Sequence, residues 1–186
     1  MNIIGKKIIL RAIEPDDMDM LQDMVNDPDI ETSVVGWSFP VSKADQIRWY
    51  ENILNDKSTL RFIIETKSDR EAIGMIYFAE IDWKNRSAET GIKLKKNAPK
   101  RQGYATDAVT TLWQYAFFEL QLNRLSFLIM EYNEASIGLH EKCGAVREGI
   151  KRNAVYKGGK YHNQYYYGVL KENFEEIKNG LNGDEN

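Results

Sequence analysis

Residues 87–120 read SAETGIKLKKNAPKRQGYATDAVTTLWQYAFFEL, and this stretch decides the fold. Residues 87–94 (SAETGIKL) read as a strand. Residues 106–120 read as a helix, because Ala105, Ala108, Val109, Leu112, Ala116 and Leu120 fall on one stripe that packs on a sheet. Between them lies a loop with Pro99, Gly103 and the cations Lys95, Lys96, Lys100 and Arg101. A strand, a basic turn and a helix N-terminus make an anion site. The first N–H groups of a helix lack intrahelical partners and carry partial positive charge. Gly103 lets the backbone come close to a ligand, and Ala105 adds little bulk. Most such junctions bind nothing, so the turn alone does not fix a ligand. It is not a P-loop, since no Gly-Lys-Ser/Thr closes it, and it is not the dinucleotide G-x-G-x-x-G.

Outward from this stretch, residues 7–12 (KIILRA) read as a first strand. Glu14-Pro15-Asp16-Asp17 starts a helix that carries Met18, Leu21 and Val25 on one face and ends near Asn26. Residues 27–40 are expected to be irregular. Ser42 caps a second helix over 43–55. Residues 60–65, 72–82 and 87–94 then form a meander, expected to be antiparallel. After the central helix, residues 124–130 (RLSFLIM) read as a strand covered on both faces. A short helix starts at Asn133 or Ser136 and stops at Cys143-Gly144. Two more strands, 145–152 and 161–170, flank the turn Lys157-Gly158-Gly159-Lys160. The expected fold class is α+β, a mixed, mostly antiparallel central sheet flanked by helices. Residues 1–172 make one domain, and 173–186 make a polar tail after a short helix.

Composition excludes several function classes. A net charge of −3 argues against a general nucleic-acid binder. No run approaches the roughly 18 apolar residues of a membrane span. Residues 1–15 show no secretory signal, so a cytoplasmic location is expected. Cys143 stands alone, and His140 and His162 are the only histidines, so neither a disulfide framework nor a Cys- or His-rich metal cluster is expected.

The order of elements, with LKKNAPKRQGYATDA and NEASIGLHEKCGA in it, resembles the GNAT superfamily of acyl-CoA-dependent N-acyltransferases. Within it the branch of ribosomal-protein N-terminal and spermidine N-acetyltransferases is most similar. Three pieces over about residues 6–172 carry the likeness. They are the opening IILRAIEPDDMDML, the loop Lys100-x-x-Gly103-x-Ala105, and Asn133-Glu134-Ala135-Ser136 followed by residues 139–144. The family loop leads with Arg or Gln, and this chain has Lys100.

The resemblance implies acetyl-CoA as co-substrate, no metal, and direct attack of an amine on the thioester. The pyrophosphate of the coenzyme falls to Lys100, Arg101, Gln102, Gly103, Tyr104, Ala105 and Thr106. The pantetheine arm falls to Ile92, Lys93 and Leu94, beside a splayed strand at 124–130, and to Asn133 and Ser136. Glu89, ahead of Glu80, is the expected proton acceptor. His140 stands where many relatives carry a Tyr that protonates the thiolate, and a His can serve with its ordinary value near 6.5. Tyr132 is a possible substitute. Asn133 and Ser136 also read as helix caps, and Cys143 as packing. Asp27, Asp29 and Glu31 near Trp37 and Phe39 suggest an acidic mouth for a cationic amine. The spermidine enzymes' acidic pair after the Trp is Ser38-Phe39 here. The acceptor the resemblance implies is a small amine such as a polyamine, or a peptide N-terminus; the absent acidic pair counts against a polyamine and leaves an aminosugar or an antibiotic amine open. Residues 161–167 are a candidate lining on the acceptor side. A homodimer is the assembly the branch suggests. The alternative is a non-catalytic acyl-CoA sensor on the same scaffold.

Overall fold

The computed structural model describes residues 1–34, 39–56 and 58–183. One eight-stranded sheet runs through it in the order β1-β2-β3-β4-β5-β6-β8-β7. Strands β1 (Ile3–Ile4), β2 (Ile8–Arg11), β3 (Leu60–Thr66), β4 (Ala72–Asp82) and β5 (Ser87–Leu94) pair antiparallel in succession. Strand β6 (Arg124–Met130) joins β5 in parallel, and β8 (Lys160–Leu170) and β7 (Val146–Lys157) close the sheet antiparallel. Strand β7 runs on to the two-residue turn Gly158-Gly159, longer than the polar sequence after Arg152 suggests.

Helices α1 (Met18–Asn26) and α3 (Lys43–Asn55) cover one face. They bury Met18, Leu21 and Met24 against Ile63, with Trp49 and Met75 packed alongside. A 3₁₀ turn, Pro15–Asp17, precedes α1 and is pinned to the sheet by Arg11. That guanidinium donates to both oxygens of Asp17 at 2.8 Å and to Glu65 at 2.6 Å. The hydrogen bonds to Asp17, then those to Glu65, hold Arg11 above its ordinary value. Residues 27–33 are not irregular. Asp27 Oδ1 accepts from Asp29 N at 2.8 Å and Ile30 N at 3.3 Å, Pro28 fills the first turn, and α2 spans Pro28–Ser33.

The opposite face is covered by α4 (Tyr104–Gln114), which begins two residues before the expected start. It continues through a wider π turn, Tyr115–Glu119. The wider turn brings Phe117 into the stripe of Ala108, Val109, Leu112, Trp113 and Ala116, all within 1% of full burial. Helix α6 (Lys171–Gly183) adds Phe174, whose ring lies 5.5 Å from Phe117 and 6.2 Å from Trp113. Helix α5 (Glu134–Lys142) follows β6. No helix among the described residues is long and apolar enough to cross a membrane.

Candidate active site

Strands β5 and β6 pair only over Ser87–Glu89 with Arg124–Ser126. Past that point β5 stays with β4 to Leu94, and β6 stays with β8 to Met130. Each strand follows its antiparallel partner, so the two part. Their facing backbone groups are left without a ladder, which a chain of amides can fill. The cleft between them measures about 290 Å³ and is lined by Glu89, Lys93, Phe127, Asn133 and His140, among others. The expected segment Ile92 and Lys93 forms one wall. Leu94 ends the strand outside that lining.

Glu89 is the last residue of the parallel pairing and stands exposed at the apex of the cleft. Beside it lies a residue the sequence did not single out, Tyr77. It pairs across β4–β5 with Gly91, and a methyl at Gly91 would come within 2.5 Å of the Tyr77 hydroxyl. The ring therefore lies across Gly91, which only a residue without a side chain allows. Burial, and then the charge of Glu89, raise the Tyr77 phenol above its ordinary value, so it stays a neutral O–H donor. Tyr77, Lys93 and Val34 line this cleft and also a second cavity of about 500 Å³ under α1 and α3. A glycine inside a strand was the available signal for Tyr77.

His140 lines the cleft but is only 4% exposed, packed on Phe127 with ring centroids 4.4 Å apart. Its Nδ1 is 2.7 Å from Ser136 O. A carbonyl oxygen only accepts, so the hydrogen is on Nδ1 and Nε2 is bare. Burial holds the ring below its ordinary value, only partly offset by that carbonyl. Whenever the ring is neutral, this tautomer has no proton at Nε2 to give, so burial and the Ser136 carbonyl both work against the acid role expected of His140. Tyr132 does not replace it, since its hydroxyl donates to Thr32 O at 2.6 Å.

Asn133 caps α5, accepting from Ser136 N at 3.1 Å, and its Nδ2 donates to Ser33 O at 3.0 Å. Helix α2 is tied across this region at three further points: Asp29 to Lys96 at 2.6 Å, Glu31 to Lys157 at 2.5 Å, and Thr32 to Tyr132. Of the acids expected at a mouth for a cationic amine, Glu31 lines the 500 Å³ cavity while paired with Lys157, Asp27 caps α2 and Asp29 pairs with Lys96; Trp37 lies outside the described residues. Glu80 takes φ +48° at the β4 bulge and lines neither cavity. Residues 161–167 line neither cavity either. Tyr167 donates to Glu141 at 2.7 Å and stacks on Phe127, while Tyr165 lies under Arg147.

The basic turn lies beyond the end of β5, outside the lining of the cleft. Lys100, Arg101 and Gln102 are exposed, Arg101 takes φ +58°, and Gly103 takes φ +83° as the N-cap of α4. No side chain caps this helix, so the N–H groups of Tyr104, Ala105 and Thr106 keep their anion-binding capacity. Lys7 Nζ holds the turn by donating to Gln102 O at 2.7 Å. Asp107, which the sequence reading passed over, accepts from the backbone of Lys6, Lys7 and Ile8 at 3.0, 2.6 and 3.0 Å. It fixes the start of α4 to the start of the sheet.

Residues 7–146 match the acetyltransferase (GNAT) domain. The uncharacterized N-acetyltransferase YokL of the SPbeta prophage in Bacillus subtilis (strain 168) is 31% identical over 92% of this chain and 94% of its own length. A spermidine N(1)-acetyltransferase of Vibrio cholerae is 26% identical over 85% of this chain and 90% of its own. The crystal structure of the Vibrio cholerae spermidine N-acetyltransferase in complex with CoA and spermine superposes with a TM-score of 0.85. It is 23% identical over 92% of this chain and 99% of that one, and it shows the shared fold. The chain belongs to the GNAT family of acetyltransferases, which move the acetyl group of acetyl-CoA to an amine.

Proposed function

We propose that the opening between β5 and β6 takes the acetyl-pantetheine arm, with the pyrophosphate at the turn from Lys100 to Thr106 and the acceptor in the 500 Å³ cavity. The observation that carries this is the end of pairing at Glu89–Ser126. It leaves two open strand edges leading from a carboxylate to an uncapped helix start. The acceptor is a small primary amine or a peptide N-terminus.

The amine nitrogen attacks the thioester carbon, a C–N bond forms, and the C–S bond breaks. Glu89 at the apex takes the proton from the attacking nitrogen, directly or through water. The neutral Tyr77 hydroxyl is the donor at the same place for the negative charge of the tetrahedral intermediate. The thiolate needs little acid help, since a thiol near 8.5 recovers its proton at neutral pH. Neutral His140 supports Ser136 and the Phe127 wall without giving a proton. Asn133 Oδ1 is committed to the α5 cap, so only its Nδ2 is open to the arm, in exchange for Ser33 O.

The test is thiol release from acetyl-CoA against polyamines, amino acids, peptides with free N-termini and aminosugars. Turnover with one amine class supports the reading. Absence of turnover together with no rise in melting temperature on adding CoA removes it.

A further inference from the structure

The acceptor cavity has a charge pattern of its own. Its wall is mostly hydrocarbon, with Leu21, Met24, Val41, Trp49 and Met75 among the lining residues. Four charged residues also face it: Glu31, Asp45, Arg61 and Lys93. Three of them have opposite charges at hand. Glu31 meets Lys157 at 2.5 Å, Asp45 meets Arg48, and Arg61 meets Asp56 at 3.1 Å. Lys93 has no ion-pair or hydrogen-bond partner among the described residues.

Its position is as telling as its isolation. Along a strand alternate residues share a face, so Lys93 stands with Gly91 and Glu89, about 7 Å beyond Gly91. Lys93 and Tyr77 each line both cavities, and Glu89 lines the cleft alone, two same-face positions back along β5 from Lys93. A half-buried cation with no counter-charge costs stability, and an arriving anion removes that cost. Burial, and then the charge of Lys157, push the Lys93 ammonium below the ordinary lysine range, as expected for a site short of negative charge.

On the reading that acetyl-CoA lies in the adjoining cleft, we propose that Lys93 Nζ binds a carboxylate of the acceptor, and that the acceptor is a primary amine with an apolar body rather than a polyamine. The amine faces Glu89 while the carboxylate pairs with Lys93, and the apolar body rests on the hydrocarbon wall. A polyamine offers no anion here and brings its own cations toward Lys93, where like charges repel.

The experiment is calorimetric titration of the CoA-saturated protein with L-phenylalanine, phenethylamine and spermidine. The first two share an aromatic body and differ in the carboxylate. A hydrogen bond between charged groups predicts that phenylalanine binds on the order of tenfold to a hundredfold tighter than phenethylamine. That preference should vanish in Lys93→Met and survive in Lys93→Arg. A melting temperature of Lys93→Met at or above the parent's shows that the fold is kept. Equal binding of the two aromatic amines, tighter binding of spermidine than of phenylalanine, or a preference that persists in Lys93→Met overturns the proposal. The titrations are repeated without CoA, so a missing coenzyme response is read apart from a missing carboxylate response.

Discussion

Gly103→Ala separates the conformation of the anion turn from its use. Gly103 has φ +83° and ψ +3°. A methyl group there would meet only Lys7 Nζ, at 3.5 Å, which is ordinary contact. The cost is therefore conformational, about 1–2 kcal/mol for an L side chain in the left-handed region. For a chain of this length that lowers the melting temperature by roughly 2–8 °C. If the turn relaxes toward negative φ, the N–H groups of Tyr104, Ala105 and Thr106 lose their common aim. Losing one such charge-assisted bond, worth about 1.5–3 kcal/mol, weakens CoA roughly tenfold to a hundredfold. Acetyl-pantetheine has no pyrophosphate, so its affinity should stay level. The assay is calorimetric titration of both ligands, with the melting curve run beside them. A variant destabilised within that window that binds CoA as tightly as the parent refutes the phosphate assignment. Equal losses for both ligands would refute it too.

Glu89→Gln should lower kcat by about 10²–10⁴ with CoA affinity unchanged, by the usual size of general-base assistance; single-turnover rates check it, and an unaltered rate excludes the role. His140 is held below its ordinary value in the fold, so the unfolded chain binds its proton first as pH falls. Stability then drops below about pH 6.5 and levels off under the lower folded value. His140→Phe should flatten this slope in a melting-temperature series over pH and cost less than tenfold in kcat, and a larger loss in kcat would restore a proton-transfer role. Burial pushes the Cys143 thiol up to about 11. Iodoacetamide should therefore modify it only as fast as the protein unfolds, and rapid labelling of the native protein would contradict the packing role.

The frame of the site was legible because its signals are local. Strands Ala72–Asp82, Ser87–Leu94 and Arg124–Met130 and helix Lys43–Asn55 fall where the apolar pattern and the turn residues place them. Helix α2 was missed for a local reason as well. Its six residues bury no side chain, so no periodicity marks them, and only Asp27-Pro28 betrays a capped start. The stripe on α4 was read one residue type too narrowly. Trp113 joins it from within the regular helix, four residues after Val109, and Phe117 from the π turn at Tyr115–Glu119.

The chemistry was less legible because it depends on what lies across the sheet. Nothing near residue 77 in the chain says that its ring will lie on Gly91. That follows from a register set by residues on both strands. The position of Lys93 has the same origin. Its neighbours in sequence, Ile92 and Leu94, are apolar, and its lack of an anion appears only once α1, α2 and α3 are laid over β5 with their acids already matched. His140 shows a third kind of gap. The sequence supplies an imidazole at the right step after Asn133, but the carbonyl of Ser136 decides which nitrogen keeps the hydrogen. That one contact leaves Nε2 without a hydrogen whenever the ring is neutral. On the proposed function the proton traffic then falls to Glu89 and Tyr77, which the pairing of β4 with β5 brings to the apex of the cleft.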